Sequence, residues 1–65
     1  MKWKPKFQLR QEVIVTKSFL SSVGEIIKND RGYVVSYNQQ KKWYRVYWYR
    51  LNTEGNIEES FIKKT

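Results

Sequence analysis

The segment Trp43-Tyr44-Arg45-Val46-Tyr47-Trp48-Tyr49-Arg50 gathers five aromatic rings and two guanidinium groups into one short run. In an extended strand, alternate side chains point to opposite faces. Tyr44, Val46 and Trp48 can then serve a core while Trp43, Arg45, Tyr47 and Tyr49 face outward, with Lys41 and Lys42 before them and Arg50 after. Rings interleaved with cations suit nucleic acid, because every base offers a π-face for stacking and every phosphate a negative charge. The competing reading is that wide rings simply cover a thin core and one another. For the stripe as a whole a surface in use is favoured, since contiguous exposed apolar area is uncommon on monomers. Lys41, Lys42, Trp43, Arg45, Tyr47, Tyr49 and Arg50 are therefore the candidate residues for binding nucleic acid or another partner.

Thirteen Lys and Arg against six acids give a net charge of +7. That balance attracts polyanions: nucleic acid first, an acidic protein second, anionic lipid third. Lys2, Trp3, Lys4 and Lys6, interleaved around Pro5, form a candidate basic arm, although a lysine-rich terminus often does no more than stay solvated. The expected organisation is this flexible arm over 1–6 followed by one domain over 7–65, near the lower size limit for a core without disulfides or metal. Aromatic residues make up 17% of the chain, which supplies the bulk a short sequence needs to fold.

The chain has neither Cys nor His. Disulfides, thiolate zinc sites and thiol catalysis are thereby excluded, and a reducing cytoplasm is the expected compartment. The acids Glu12, Glu25, Asp30, Glu54, Glu58 and Glu59 lack calcium-loop spacing, so no metal and no cofactor are expected. Catalysis would fall to carboxylates, and Glu58-Glu59 are neighbours whose side chains diverge on a strand. They read as solvated charge, and the expectation is a binder, not an enzyme. No stretch approaches a signal peptide or the roughly 20 apolar residues of a membrane span.

Positioning falls to short strands, because no 3.6-residue period is present anywhere. Gln11 to Lys17 is a β-branched run with Val13 and Val15 on one face. Ser18 to Ser22 reads as a loop tucking in Phe19, Leu20 or both, and Val23 to Lys28 as a second strand with Gly24 where the sheet must bend. Asn29-Asp30-Arg31-Gly32 is a turn in which Gly32 takes positive φ. Tyr33 to Tyr37 follows as a third strand, with two registers open: Tyr33, Val35 and Tyr37 inward, or Val34 with Ser36. Three apolar side chains suit a small core better, which favours the first. Asn38 to Lys42 is a polar hairpin loop into the aromatic fourth strand, Asn52 to Gly55 another turn, and Asn56 to Ser60 a fifth strand. A single helical turn near Glu58 to Ile62 then plugs one end with Phe61. The expected core is Val13, Val15, Ile26, Val35, Val46, Trp48 and Phe61.

A first V-x-V (Val13, Val15), a G-x-I (Gly24, Ile26), a Y-x-V-x-W (Tyr44, Val46, Trp48) and an E-E-x-F ending (Glu58, Glu59, Phe61) resemble the SH3-like small barrels, a class that includes KOW and Tudor-like modules and many short phage and bacterial proteins. The resemblance spans about Phe7 to Lys63 and implies an all-β, five-stranded antiparallel barrel with a short helical turn near the C-terminus. Arg10 departs from it, standing where many of these barrels carry Gly. The last strand also lacks the V-Q-I-Y of the plasmid-encoded type II dihydrofolate reductases. Function is expected to be nucleic-acid binding, to DNA or RNA, by a monomer or small homo-oligomer. The alternative is protein docking or an accessory subunit, because Tyr, Trp and Arg also make protein hot spots.

Overall fold

The β-branched and aromatic runs form strands in the computed structural model, which describes residues 4–65. Lys2 and Trp3 of the expected arm lie outside the described residues. In chain order the elements are β1 (Glu12–Val15), β2 (Phe19–Ser21), β3 (Gly24–Ile26), β4 (Arg31–Asn38), β5 (Trp43–Trp48), β6 (Thr53–Glu58), a 3-10 turn (Glu59–Phe61) and β7 (Ile62–Lys64). The fold is all-β, as expected. Five strands make one antiparallel sheet in the order β6-β5-β4-β1-β7, and β2 with β3 make a separate hairpin. Strands β6 and β7 are the edges of the larger sheet, and no ladder closes it among the described residues.

Several boundaries differ from those the sequence implies, each for a local reason. Residues Phe19 to Ser21 are a strand and not a loop: Ser21 Oγ donates to the Gly24 carbonyl at 2.7 Å and accepts from Val23 N–H at 3.3 Å, closing a tight turn that Gly24 completes at φ 124°. Gly32 is not the turn's positive-φ residue; Asn29 takes that conformation at φ 76°. Gly32 lies inside β4, where a Cβ would run into the Tyr47 carbonyl and stand 2.8 Å from Val46 Cγ1. Gly55 is no turn glycine either. It sits inside β6, and a Cβ there would lie 3.2 Å from Trp48 Nε1 and 3.1 Å from Val23 Cγ2.

The preferred register of the third strand is corrected by a β-bulge. Strand β4 pairs with β5 as Asn38↔Trp43, Tyr37↔Tyr44 and Ser36↔Arg45, then shifts by one residue to Val34↔Val46, Tyr33↔Tyr47 and Gly32↔Trp48. Val35 is the extra residue, and it flips the alternation. Tyr37 pairs with buried Tyr44 but stays exposed, where the expected register buried it, Tyr33 turns outward, and Val34 replaces Val35 in the core. The buried set is Phe7, Val13, Val15, Ile26, Val34, Tyr44, Val46, Trp48, Ile57 and Ile62. Phe61, expected to be buried, is only half-buried, with its ring edge-on to Phe19 at 5.1 Å.

Arg10 explains its own departure from the resemblance. It adopts φ 67°, the left-handed conformation that Gly takes freely, and donates its N–H to the Val34 carbonyl at 2.6 Å. Arg10→Gly should therefore leave stability unchanged or raise it by up to about 1 kcal/mol in chemical denaturation, since relief of the left-handed strain is offset in part by a freer unfolded chain. Trp48→Ala, by contrast, should cost roughly 3–5 kcal/mol and unfold a domain this small. Gly32→Ala should be nearly as damaging, because the clashing atom is backbone.

Candidate nucleic-acid interface

The aromatic stripe does not form one surface. Its outward residues divide between the two ends of β5, and two of its cations are held by carboxylates. Arg50 Nε and Nη2 each lie 2.9 Å from an oxygen of Asp30, and Nη2 also donates to the Glu25 carbonyl at 2.7 Å. Asp30 is the one buried charged residue among those described, and its Oδ2 accepts the Ile27 N–H at 3.0 Å. The forked guanidinium, and secondarily the Ile27 N–H, hold the Asp30 carboxyl below its usual range against the opposing effect of burial. Arg50 thus ties the end of β5 to the β3–β4 turn. Arg45 pairs with Glu54 at 2.6 Å, and both side chains remain substantially exposed.

Tyr47 and Tyr49 join a cluster that alternation along the chain does not reveal. The bulge puts Tyr33 directly opposite Tyr47, with ring centroids 5.4 Å apart; Tyr49 lies 6.1 Å from Tyr33 and 6.2 Å from Tyr47. Across the outer sheet face the row runs Glu12, Tyr33, Tyr47, Glu54. The Tyr47 hydroxyl donates to Asn52 Oδ1. That of Tyr49 is pushed up in pKa, first by partial desolvation and then by the Glu12 carboxylate. Acids bracket this face, and both of these hydroxyls already have partners.

Lys6, Lys41, Lys42 and Trp43 converge instead at the other end of β5. The loop before β5 is shaped by Asn38, whose Oδ1 accepts the Lys41 N–H at 3.0 Å and whose carbonyl accepts the Lys42 N–H at 2.8 Å, with Lys42 itself at φ 59°. This turn carries Lys41 back so that its Nζ stands 5.5 Å from the Trp43 ring centroid. Lys6 arrives from elsewhere in the chain. Its N–H donates to the buried Tyr44 hydroxyl at 2.6 Å and to Glu59 Oε2 at 3.2 Å, while Tyr44 itself donates to Glu59. One hydroxyl therefore joins residues 6 and 7, β5 and the 3-10 turn.

Two adjoining cavities result. A basic cleft of about 410 Å³ is lined by Lys6, Lys41, Lys42, Glu58, Glu59 and Ser60. Beside it, Phe19, Trp43, Asn56, Ile57, Glu58 and Phe61 line a mostly apolar slot of about 250 Å³. Glu58 belongs to both walls. Lys17 Nζ stands 4.5 Å from the ring centroid of Phe61, one of the slot's lining residues. By sequence alone Phe19 and Phe61 are packing residues and Glu58 is solvated charge. Phe19 reaches the slot from β2, a strand the sequence pattern does not signal, with its ring against Phe61.

Among the described residues no group of acids could hold a metal ion, and no helix is long and apolar enough to cross a membrane. Lys4 is described and exposed.

Burial and the Glu59 carboxylate push the Tyr44 hydroxyl up to about 12. The neutral form is the one the fold holds, so this stabilisation is complete below pH of about 10 and is lost as pH rises toward 12. Ultraviolet titration should show one tyrosine ionising late, together with unfolding, and Tyr44→Phe should remove that step. Arg50→Ala should lower the thermal midpoint by stranding the Asp30 carboxylate, and Arg50→Lys should recover only part of it, because an ammonium cannot fork onto both oxygens. In the parent protein the Asp30 contribution is present above the ordinary aspartate range and fades as pH falls through its lowered value.

Compared with protein-family models, with curated proteins and with solved structures, the chain finds no match in any of the three.

Proposed function

We propose that this chain is a nucleic-acid-binding module built on an SH3-like barrel. The observation that carries the reading is the adjacency of a lysine cleft and an aromatic slot, with Lys41 spanning from one to the other above Trp43. Phosphates in the cleft would meet Lys6, Lys41 and Lys42, and a ring in the slot would meet Trp43, Phe19 and Phe61. Glu58 and Glu59 temper the charge of the cleft, but Glu59 is engaged by Tyr44 and by the Lys6 N–H. The wider surface supplies long-range attraction: among the described residues only Arg45 and Arg50 form ion pairs, in a chain of net charge +7. The barrel assignment is supported by the strand order and by the 3-10 turn that precedes the final strand.

A second reading, docking of an extended peptide, is favoured by one feature. The slot borders β6, an edge strand whose outer side has no ladder partner among the described residues. No catalytic role is proposed.

Fluorescence anisotropy with labelled single- and double-stranded DNA and RNA, at low and at physiological salt, tests the primary reading. Binding should weaken steeply with salt, and Lys41→Ala with Lys42→Ala should reduce the slope by about one for each phosphate that a lysine no longer neutralises. Trp43→Ala should weaken binding with little change in thermal midpoint. Affinity that is absent at low salt, or indifferent to all three substitutions, contradicts the proposal.

A further inference from the structure

We infer that the slot takes a single unstacked base and selects those with an exocyclic amino group, adenine, cytosine and guanine, over thymine and uracil. This rests on the nucleic-acid reading above. The size argues for one ring: about 250 Å³ is below the roughly 300–1,000 Å³ of sites for drug-sized ligands. Three aromatic side chains line it, and an unstacked base has two faces to cover. A base still paired in a duplex offers only its edge, so the slot calls for a single strand. The chain supplying that base would run its phosphates into the adjoining lysine cleft, which the shared Glu58 wall places immediately beside the ring.

Selection follows from the polar groups on the slot wall. Glu58 has no ion-pair partner within 4 Å among the described residues, despite three lysines lining the same cleft. Its carboxylate only accepts hydrogen bonds. An exocyclic amino group is a donor that it can meet, as in the pairing of acidic side chains with cytosine N4. Thymine and uracil present a carbonyl oxygen where cytosine has its amino group, and their one donor, N3–H, is flanked by two carbonyls that repel the carboxylate, so the contact is weaker. Asn56 offers both a donor and an acceptor, so it can hold a neighbouring carbonyl or ring nitrogen without imposing the same choice.

The test compares short oligodeoxycytidylate and oligothymidylate of equal length at neutral pH and low salt, using anisotropy with the parent protein, Glu58→Ala, Glu58→Gln and Trp43→Ala. Both strands are flexible pyrimidine chains, so the contrast falls on the base edge and the thymine methyl, and the Glu58 variants separate the two. Oligocytidylate should bind about tenfold more tightly, the discrimination expected of a hydrogen bond to a charged group. Both Glu58 variants should erase the difference, and Trp43→Ala should weaken both ligands. Equal affinity for the two strands with a retained Trp43 effect overturns base selection and leaves the nucleic-acid reading intact. A preference that survives in both Glu58 variants overturns the role of Glu58. Failure of either strand to bind, with a proline-rich peptide binding in a Trp43-dependent way, overturns both readings together.

Discussion

The packing of Trp48 is the constraint on which the rest of the structure depends. Its indole is fully buried, opposite Gly32 on β4, and it rests against Gly55 on β6. The largest side chain of the core is thus accommodated by the missing side chain of Gly55, while at Gly32 the space for a Cβ is closed by the Tyr47 carbonyl and Val46. Placing Gly32 inward forces Tyr33 outward, and joining that register to the one set by the Asn38 loop requires the extra residue at Val35. The bulge therefore reconciles two local demands, and it decides which rings meet on the outer face.

Two polar ties complete the frame. Asp30 and Arg50 fix the far end of β5, while the Tyr44 hydroxyl fixes the near end by joining residues 6 and 7 to the 3-10 turn. The consequences for binding differ. The first tie withdraws Arg50 from the candidate surface into a structural role. The second brings Lys6 alongside Lys41 and Lys42, so a buried tyrosine that does not itself line the basic cleft helps to assemble it.

Much of the fold is legible from alternation alone. The register of β5 with Tyr44, Val46 and Trp48 inward is what its V-x-W pattern implies, and the helical turn with Phe61 beside the core follows from the break in alternation after Ile57. Alternation cannot reveal the bulge, because one inserted residue leaves no compositional mark and Val34 and Val35 are equally apolar. Glycines mislead for a related reason: sequence offers turn chemistry at Asn29 to Gly32 and at Asn52 to Gly55, but the steric need for Gly lies across the sheet. At the candidate site, Lys41, Lys42 and Trp43 are visible as neighbours along the chain. Phe19, Asn56, Glu58 and Lys6 become neighbours of theirs only through long-range pairing.

The central claim is that one end of β5, and not the tyrosine face, is where the chain meets nucleic acid. Amide and indole chemical-shift mapping during titration with a short single-stranded oligonucleotide addresses it most directly. The claim predicts that the Trp43 indole N–H and the amides of residues 39–43 and 58–60 shift progressively while the buried Trp48 indole N–H stays in place. Shifts confined to Tyr33, Tyr47, Tyr49 and their neighbours would contradict it.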